Sequence, residues 1–287
     1  MTHQDLITLE DGRIIAFSEY GDEKGTSIFY FGGFPGSSRL EAGRFHEFAT
    51  ANRYRIIGID RPGMGLSTLD KNRSILSWVK DVEQVADYLK ISKFSVIGHS
   101  GGGPFVAACA YTIPQRLNGA AIVSGMAPLD HPESKIGMAR GQIIANGVIK
   151  TFPWLAPLML KLNLMMLKNP KMMEKAIKQL PDVDQAIFRN PKIGSELIKS
   201  SLEAFRDGVG GPACELKILF KPWGFDLKDI NFPIIIWHGA LDTQAPISHA
   251  KIYANSITGS QLKIIENEGH LSVLINHIEE IFSDVSP

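Results

Sequence analysis

An α/β fold built on a mostly parallel sheet with helices on both faces is what the sequence predicts, and three observations carry the prediction. Short apolar runs recur at residues 27–31, 55–60, 94–97, 120–124, 234–237 and 262–265, and apolarity that is continuous rather than alternating marks strands covered on both sides. Helical patterns fall between them. The clearest spans residues 74–90, where Trp78, Val82, Val85 and Leu89 repeat at three- and four-residue spacings. Glycine-rich loops follow the strands at 32–38, 61–67 and 98–103, on the carboxyl side where open α/β sheets place their sites.

The first two strands, 6–9 and 14–17, are expected to pair antiparallel through an Asp11-Gly12 turn. The loop after 27–31 should feed a helix through about residue 52. A buried helix is expected over 105–111, and the β/α rhythm resumes late in the chain with a helix over 247–257, a strand at 262–265 and a final helix from residue 271. Between the strands at 120–124 and 234–237 the composition shifts. Seven of the nine Met residues fall there, and Pro153, Pro157, Pro170, Pro181 and Pro191 should break the helices they meet. The expected division is a core over 1–125, a helical insertion over 126–229, and the remainder of the core over 230–287.

With 287 residues and 44% hydrophobic content the chain can bury a sizeable core. Its formal net charge is zero and its pI is near 7.1, so no global field attracts nucleic acid and no nucleic-acid partner is expected. The first residues, Met1-Thr2-His3-Gln4-Asp5, lack the basic and apolar regions of a signal peptide, and no run reaches the ~20 apolar residues of a bilayer span. A cytoplasmic location without stable membrane insertion is the expectation. Cys109 and Cys214 stand in unrelated contexts, which argues for buried thiols rather than a disulfide framework or a cysteine metal site. The histidines show no metal-ligand spacing, and no cofactor is expected.

The stretch Phe94-Ser95-Val96-Ile97-Gly98-His99-Ser100-Gly101-Gly102-Gly103-Pro104 reads as strand, sharp turn and helix, with Ser100 at the apex. In the plainer reading Ser100 only caps the following helix. In the functional reading the turn exposes its hydroxyl above the sheet, and the Gly101 N–H points to where an oxyanion develops.

Four loops together resemble the α/β-hydrolase-fold serine hydrolases with a helical lid. Gly98-His99-Ser100-Gly101-Gly102 is similar to the nucleophile elbow, Trp237-His238-Gly239-Ala240-Leu241-Asp242 to the acid loop, Glu268-Gly269-His270 to the histidine loop, and Gly32-Gly33-Phe34-Pro35-Gly36 to the oxyanion loop. The resemblance implies an eight-stranded, mostly parallel sheet, and a triad of Ser100 as nucleophile, His270 as base and Asp242 as acid. The backbone N–H groups of Phe34 and Gly101 would form the oxyanion hole. Asp130, after the preceding strand, is the rival acid. Asp60, Arg61, Gly63 and Gly65 resemble the loop that packs beside the site in a supporting role. The family's usual first residue of the oxyanion loop is His, where this chain has Gly32, which puts the bracing of that loop in question.

Phe34, His99, Met126 and Trp223 are expected to line the substrate pocket. The implied reaction is hydrolysis of a small or medium apolar carboxylic ester through an acyl-enzyme. Alternatives on the same triad are a lactonase, a carbon–carbon bond hydrolase or an acyltransferase, and from another class a slow-turnover ligand sensor signalling to a protein partner. Between residues 135 and 178 eight Lys or Arg face a single acid, Glu174. The simplest reading of residues 158–167 is a lid helix buried on the core with its lysines in water. Met side chains lining an adaptable pocket, and transient docking to an anionic membrane surface cut short by Pro170, are sharper ones.

Overall fold

Asp11 and Gly12 turn the chain between β1 (His3–Thr8) and β2 (Ile14–Gly21), which pair antiparallel; Gly12 takes the left-handed backbone (φ +83°) that the turn requires. This is a computed structural model, and it describes residues 3–287. The remaining strands are β3 (Thr26–Phe31), β4 (Tyr54–Ile59), β5 (Phe94–His99), β6 (Leu117–Val123), β7 (Ile235–Gly239) and β8 (Gln261–Ile265). They form one eight-stranded sheet in the order β1-β2-β4-β3-β5-β6-β7-β8, parallel from β4 onward. β5 lies between β3 and β6, and all six of its residues are buried.

Side chains alternate across the sheet, as the two-residue repeat of a strand dictates. Phe29, Phe31, Ile57, Val96 and Ile122 belong to one apolar core, whereas Ile28, Tyr30, Ile56, Ile97 and Val123 belong to the other. Each fully buried side chain of this size contributes about 1.5–3 kcal/mol relative to exposure, so both faces must be covered. The helices in chain order are α1 (Ser38–Glu41), α2 (His46–Ala51), α3 (Ser77–Tyr88), α4 (Gly103–Thr112), α5 (Arg140–Thr151), α6 (Ala156–Lys168), α7 (Pro170–Ile177), α8 (Asp182–Arg189), α9 (Pro191–Ala204), α10 (Gly210–Leu219), α11 (Ile247–Ser256), α12 (Ser272–Asn276) and α13 (Ile278–Asp284). Side chains of α3, α4 and α11 fill the first core, and those of α2, α12 and α13 the second.

The helix expected to reach residue 52 is divided in two by a 3₁₀ turn over Ala42–Phe45. The final helix is likewise interrupted at His277. The prolines between β6 and β7 open helices more than they break them: Pro170 and Pro191 are the first residues of α7 and α9, and Pro157 sits in the first turn of α6. At these positions the missing N–H has no intrahelical partner to lose. α6 departs most from expectation. Only Ala156 and Leu160 are buried, while Leu158, Leu162 and Met165 stand in water. Cys109 is buried as expected, but Cys214 is only partly so, and both are free thiols.

Candidate active site

At the carboxyl end of β5 the chain reverses into α4 within a few residues. A Cβ at Gly98 would stand 2.6 Å from both Gly102 O and Val106 Cγ2, so only glycine permits the turn. Ser100, at the apex, holds a left-handed backbone (φ +53°), a conformation that costs a non-glycine residue of order 1 kcal/mol or more and persists only where its surroundings impose it. The Ser100 carbonyl accepts from Met126 N–H at 3.0 Å, tying the apex to the loop after β6.

Asp242 follows β7 and His270 follows β8. Asp242 Oδ2 accepts from His270 Nδ1 at 2.8 Å, and its Oδ1 accepts from the Gln244 and Ala245 N–H groups at 2.8 and 2.9 Å. Both side chains are buried. Burial alone would raise the pKa of Asp242, but the His270 ring and these hydrogen bonds outweigh it and hold the carboxylate below its usual range. For His270, burial works against the charged ring, yet the Asp242 carboxylate and, secondarily, that of Asp184 raise its pKa above the ordinary value. With Nδ1 engaged by Asp242, Nε2 is the ring nitrogen left for a reacting group.

His270 is also held through its backbone. His99 Nε2 donates to His270 O at 2.9 Å, and the two rings lie 4.9 Å apart. Burial, reinforced by the neighbouring His270, lowers the His99 pKa to about 3, so this ring is neutral and its Nδ1 is an acceptor. From the other side comes Asp184 of α8. Its Oδ2 accepts from His270 N–H at 2.8 Å, and its Oδ1 accepts from Leu271 and Ser272 N–H, each at 2.9 Å. These are the free donors at the start of α12.

Gly33 and Phe34 close the other side of the apex. A Cβ on Gly101 would come within 3.2 Å of Phe34 N, so the two expected oxyanion donors adjoin, and Phe34 N–H meets no acceptor among the described residues. Arg61 braces this loop, donating from Nη1 to Gly32 O and from Nη2 to Gly33 O, both at 2.9 Å. Its guanidinium also pairs at 2.8 Å with Glu215 of α10, which Arg73 meets at 3.0 Å. All three charges are buried. Glu41 explains the glycine at position 32: its Oε2 accepts from Tyr30 hydroxyl at 3.1 Å and occupies the place a Cβ on Gly32 would take.

Two cavities meet over Ser100, and Phe34, Ser100, Gln244 and His270 line both. One, of about 230 Å³, is walled by apolar side chains of α7, α8 and α9, among them Ile177, Phe188 and Leu197. The other, of about 350 Å³, reaches α5, α6 and α10 and carries the polar side chains Gln142 and Asn146 beside Ile149 and Phe220. His99 lines the first and Met126 the second. Ser100 Oγ makes no hydrogen bond to His270 among the described residues.

Trp223 is not in either cavity, contrary to expectation. Its indole is buried beside Phe225 and Tyr253, 6.1 and 6.3 Å between ring centroids, where its bulk completes the first core. Trp223 and Asp130 line a separate cavity of about 340 Å³, so the rival acid stands apart from the His270 ring. Asp184, Glu215 and Glu41 are site neighbours that sequence reasoning missed. Among the described residues no cluster of His, Cys, Asp or Glu is arranged to hold a metal ion.

Comparison with known proteins agrees with this architecture. The profile of the alpha/beta hydrolase fold matches residues 26–276. An uncharacterized hydrolase of Bacillus subtilis, YcgS, is 26% identical over 91% of this chain and 89% of its own length. A 2-hydroxy-6-oxononadienedioate/2-hydroxy-6-oxononatrienedioate hydrolase of Pseudomonas putida is 24% identical over 92% and 89%. Among solved structures, a thermophilic esterase from Thermogutta terrifontis superposes with a TM-score of 0.68 at 21% identity, covering 98% of this chain and 97% of that one. The chain thus belongs to the alpha/beta hydrolase fold family.

Proposed function

We propose that the protein is a serine hydrolase that cleaves a small or medium apolar carboxylic ester through an acyl-enzyme. One observation carries the reading: His270, held by Asp242, and a strained Ser100 line the same two cavities, beside an unpartnered Phe34 N–H. His270 Nε2 takes the Ser100 proton as Oγ attacks the ester carbon, and Asp242 stabilises the imidazolium that forms. The carbonyl oxygen, now an oxyanion, is met by the N–H groups of Phe34 and Gly101. Collapse expels the alcohol, which leaves with the His270 proton. Water then repeats the sequence on the acyl-enzyme and releases the acid.

The hydrogen bond from Ser100 Oγ to His270 Nε2 that this reaction uses is of the kind that forms or tightens in the substrate complex. Cavities of about 230 and 350 Å³ lie near the lower end of small-molecule pockets, roughly 300–1,000 Å³, which favours modest acyl and alcohol groups. Residues 126–229 act in this reading as the lid that roofs both cavities. Nucleophile, base and oxyanion donors all come from the chain, so the reaction needs no cofactor.

A fluorophosphonate probe should label Ser100 alone, and Ser100→Ala should lower kcat on a chromogenic ester by about a millionfold; a folded protein that neither labels nor turns over any ester refutes the reading. Gln142 and Asn146 in the larger cavity favour a second reading, in which the triad splits a carbon–carbon bond of a polar diketone. Chromatography of the products separates the two.

A further inference from the structure

The helices α5 and α6 meet at 107°, and the corner between them is exposed from Thr151 through Trp154. Two aromatic side chains stand there in edge-to-face contact, ring centroids 6.4 Å apart: Phe152, 48% exposed, and Trp154, 70% exposed. The apolar surface continues along α6 through Leu158, Leu162 (58%) and Met165 (62%), at the four- and three-residue steps that share one helix face. The opposite face of α6 is the one used inside the molecule, where Leu160 is buried and Met159 and Leu167 line the two cavities. The outer stripe therefore serves no packing role.

Charge decides what covers it. Lys161 and Lys168, seven residues apart, flank the stripe in water, with Lys150 before the corner and Lys171 and Lys175 after it. The single acid between residues 135 and 178, Glu174, is paired with Lys178 at 2.6 Å. A two-fold contact with a second copy would set these lysines against themselves. An anionic lipid surface instead accepts both features at once, lysines among headgroups and aromatic rings at the boundary with the acyl chains. No single helix among the described residues is long and apolar enough to cross a bilayer; α5 and α6 together have the length and apolarity, but they are bent by 107° at the corner, and it is the outer face of that corner that is offered to a surface.

We propose that the aromatic corner and the outer stripe of α6 dock reversibly on an anionic membrane surface. This goes beyond the hydrolase reading and does not depend on it. The test is sedimentation with phosphatidylcholine vesicles and with mixed phosphatidylcholine–phosphatidylglycerol vesicles, read alongside tryptophan emission. Trp78, Trp223 and Trp237 are buried, so an emission shift on binding reports Trp154. Wild type and Ser100→Ala should sediment equally with the mixed vesicles, lose binding as salt is raised, and shift to the blue.

Lys161→Gln with Lys168→Gln should weaken binding about twenty-five-fold, from about fivefold per lysine. Phe152→Ser with Trp154→Ser should abolish it, while circular dichroism and turnover of any soluble substrate stay at wild-type levels. The proposal is overturned by no binding to mixed vesicles, by binding that is equal on neutral vesicles and indifferent to salt, or by a dimer in solution whose Trp154 emission is already blue-shifted without lipid.

Discussion

Asp184→Asn is the perturbation that most directly asks whether α8 controls the histidine. The carboxylate accepts three backbone N–H groups with its two oxygens, at 2.8 to 2.9 Å. An amide keeps one acceptor oxygen and turns the other position into a donor, so at least one buried N–H of the His270 loop loses its acceptor. That costs about 1–3 kcal/mol, to be read as a lower urea midpoint at unchanged slope. The larger effect is on rate. Asp184 lines neither cavity over Ser100, so KM should hold. A shift of the ring approaching 1 Å would lower kcat by up to about a hundredfold. The charge matters as well, because Asp184 is one of the carboxylates that raise the His270 pKa. Its loss lowers that pKa, and since the neutral ring is the working base, the acid limb of kcat/KM moves to lower pH. A variant that loses stability by the stated amount but keeps wild-type kcat and an unmoved acid limb would reduce Asp184 to a helix cap and refute the reasoning.

Asp242→Asn should lower kcat about ten-thousandfold through the wrong tautomer of His270, while Asp130→Asn leaves it within twofold or so; steady-state kinetics on the same ester decides, and the reverse result reassigns the acid. In wild type, kcat/KM should rise with pH through an apparent value above the ordinary histidine value of about 6.5, because the Asp242 carboxylate outweighs burial at His270; a limb centred below that value contradicts it. Gly32→Ala should cost about 1–3 kcal/mol by displacing Glu41 Oε2 from the Tyr30 hydroxyl, measured by thermal unfolding, and Glu41→Gln should recover little of it, since the amide fills the same space.

What was legible of the candidate site is the placement of its residues, which is written in short local sequence. Ser100, Asp242, His270 and Phe34 each follow a strand within a few residues, and strand ends in a parallel sheet share one edge. The unbroken burial of β5 is equally local, because a continuous apolar run marks a strand covered on both faces. What escaped is what depends on two distant segments meeting. Asp184 reads as a first-turn acid of its own helix, and nothing nearby announces partners 86 to 88 residues away. Gly32 looked like a gap in a motif because Glu41, which fills the space, lies on the next helix. Trp223 was misplaced for a similar reason, as an aromatic residue before a core strand fits a pocket wall and a core plug alike. The outward face of α6 was hidden by composition, since an almost wholly apolar run does not say which of its sides meets water.

Arg61 ties together two parts that the chain order keeps far apart. The same guanidinium that fixes the carbonyls of Gly32 and Gly33 reaches Glu215 on α10, so the segment between β6 and β7 is not an interchangeable module. A foreign helical insert grafted onto this sheet in search of a new substrate range would strand that cation in a dry interior unless it brought a carboxylate to the same spot. The graft would then disturb the neighbouring loop before it altered any pocket wall. Transplants here should carry α10 whole.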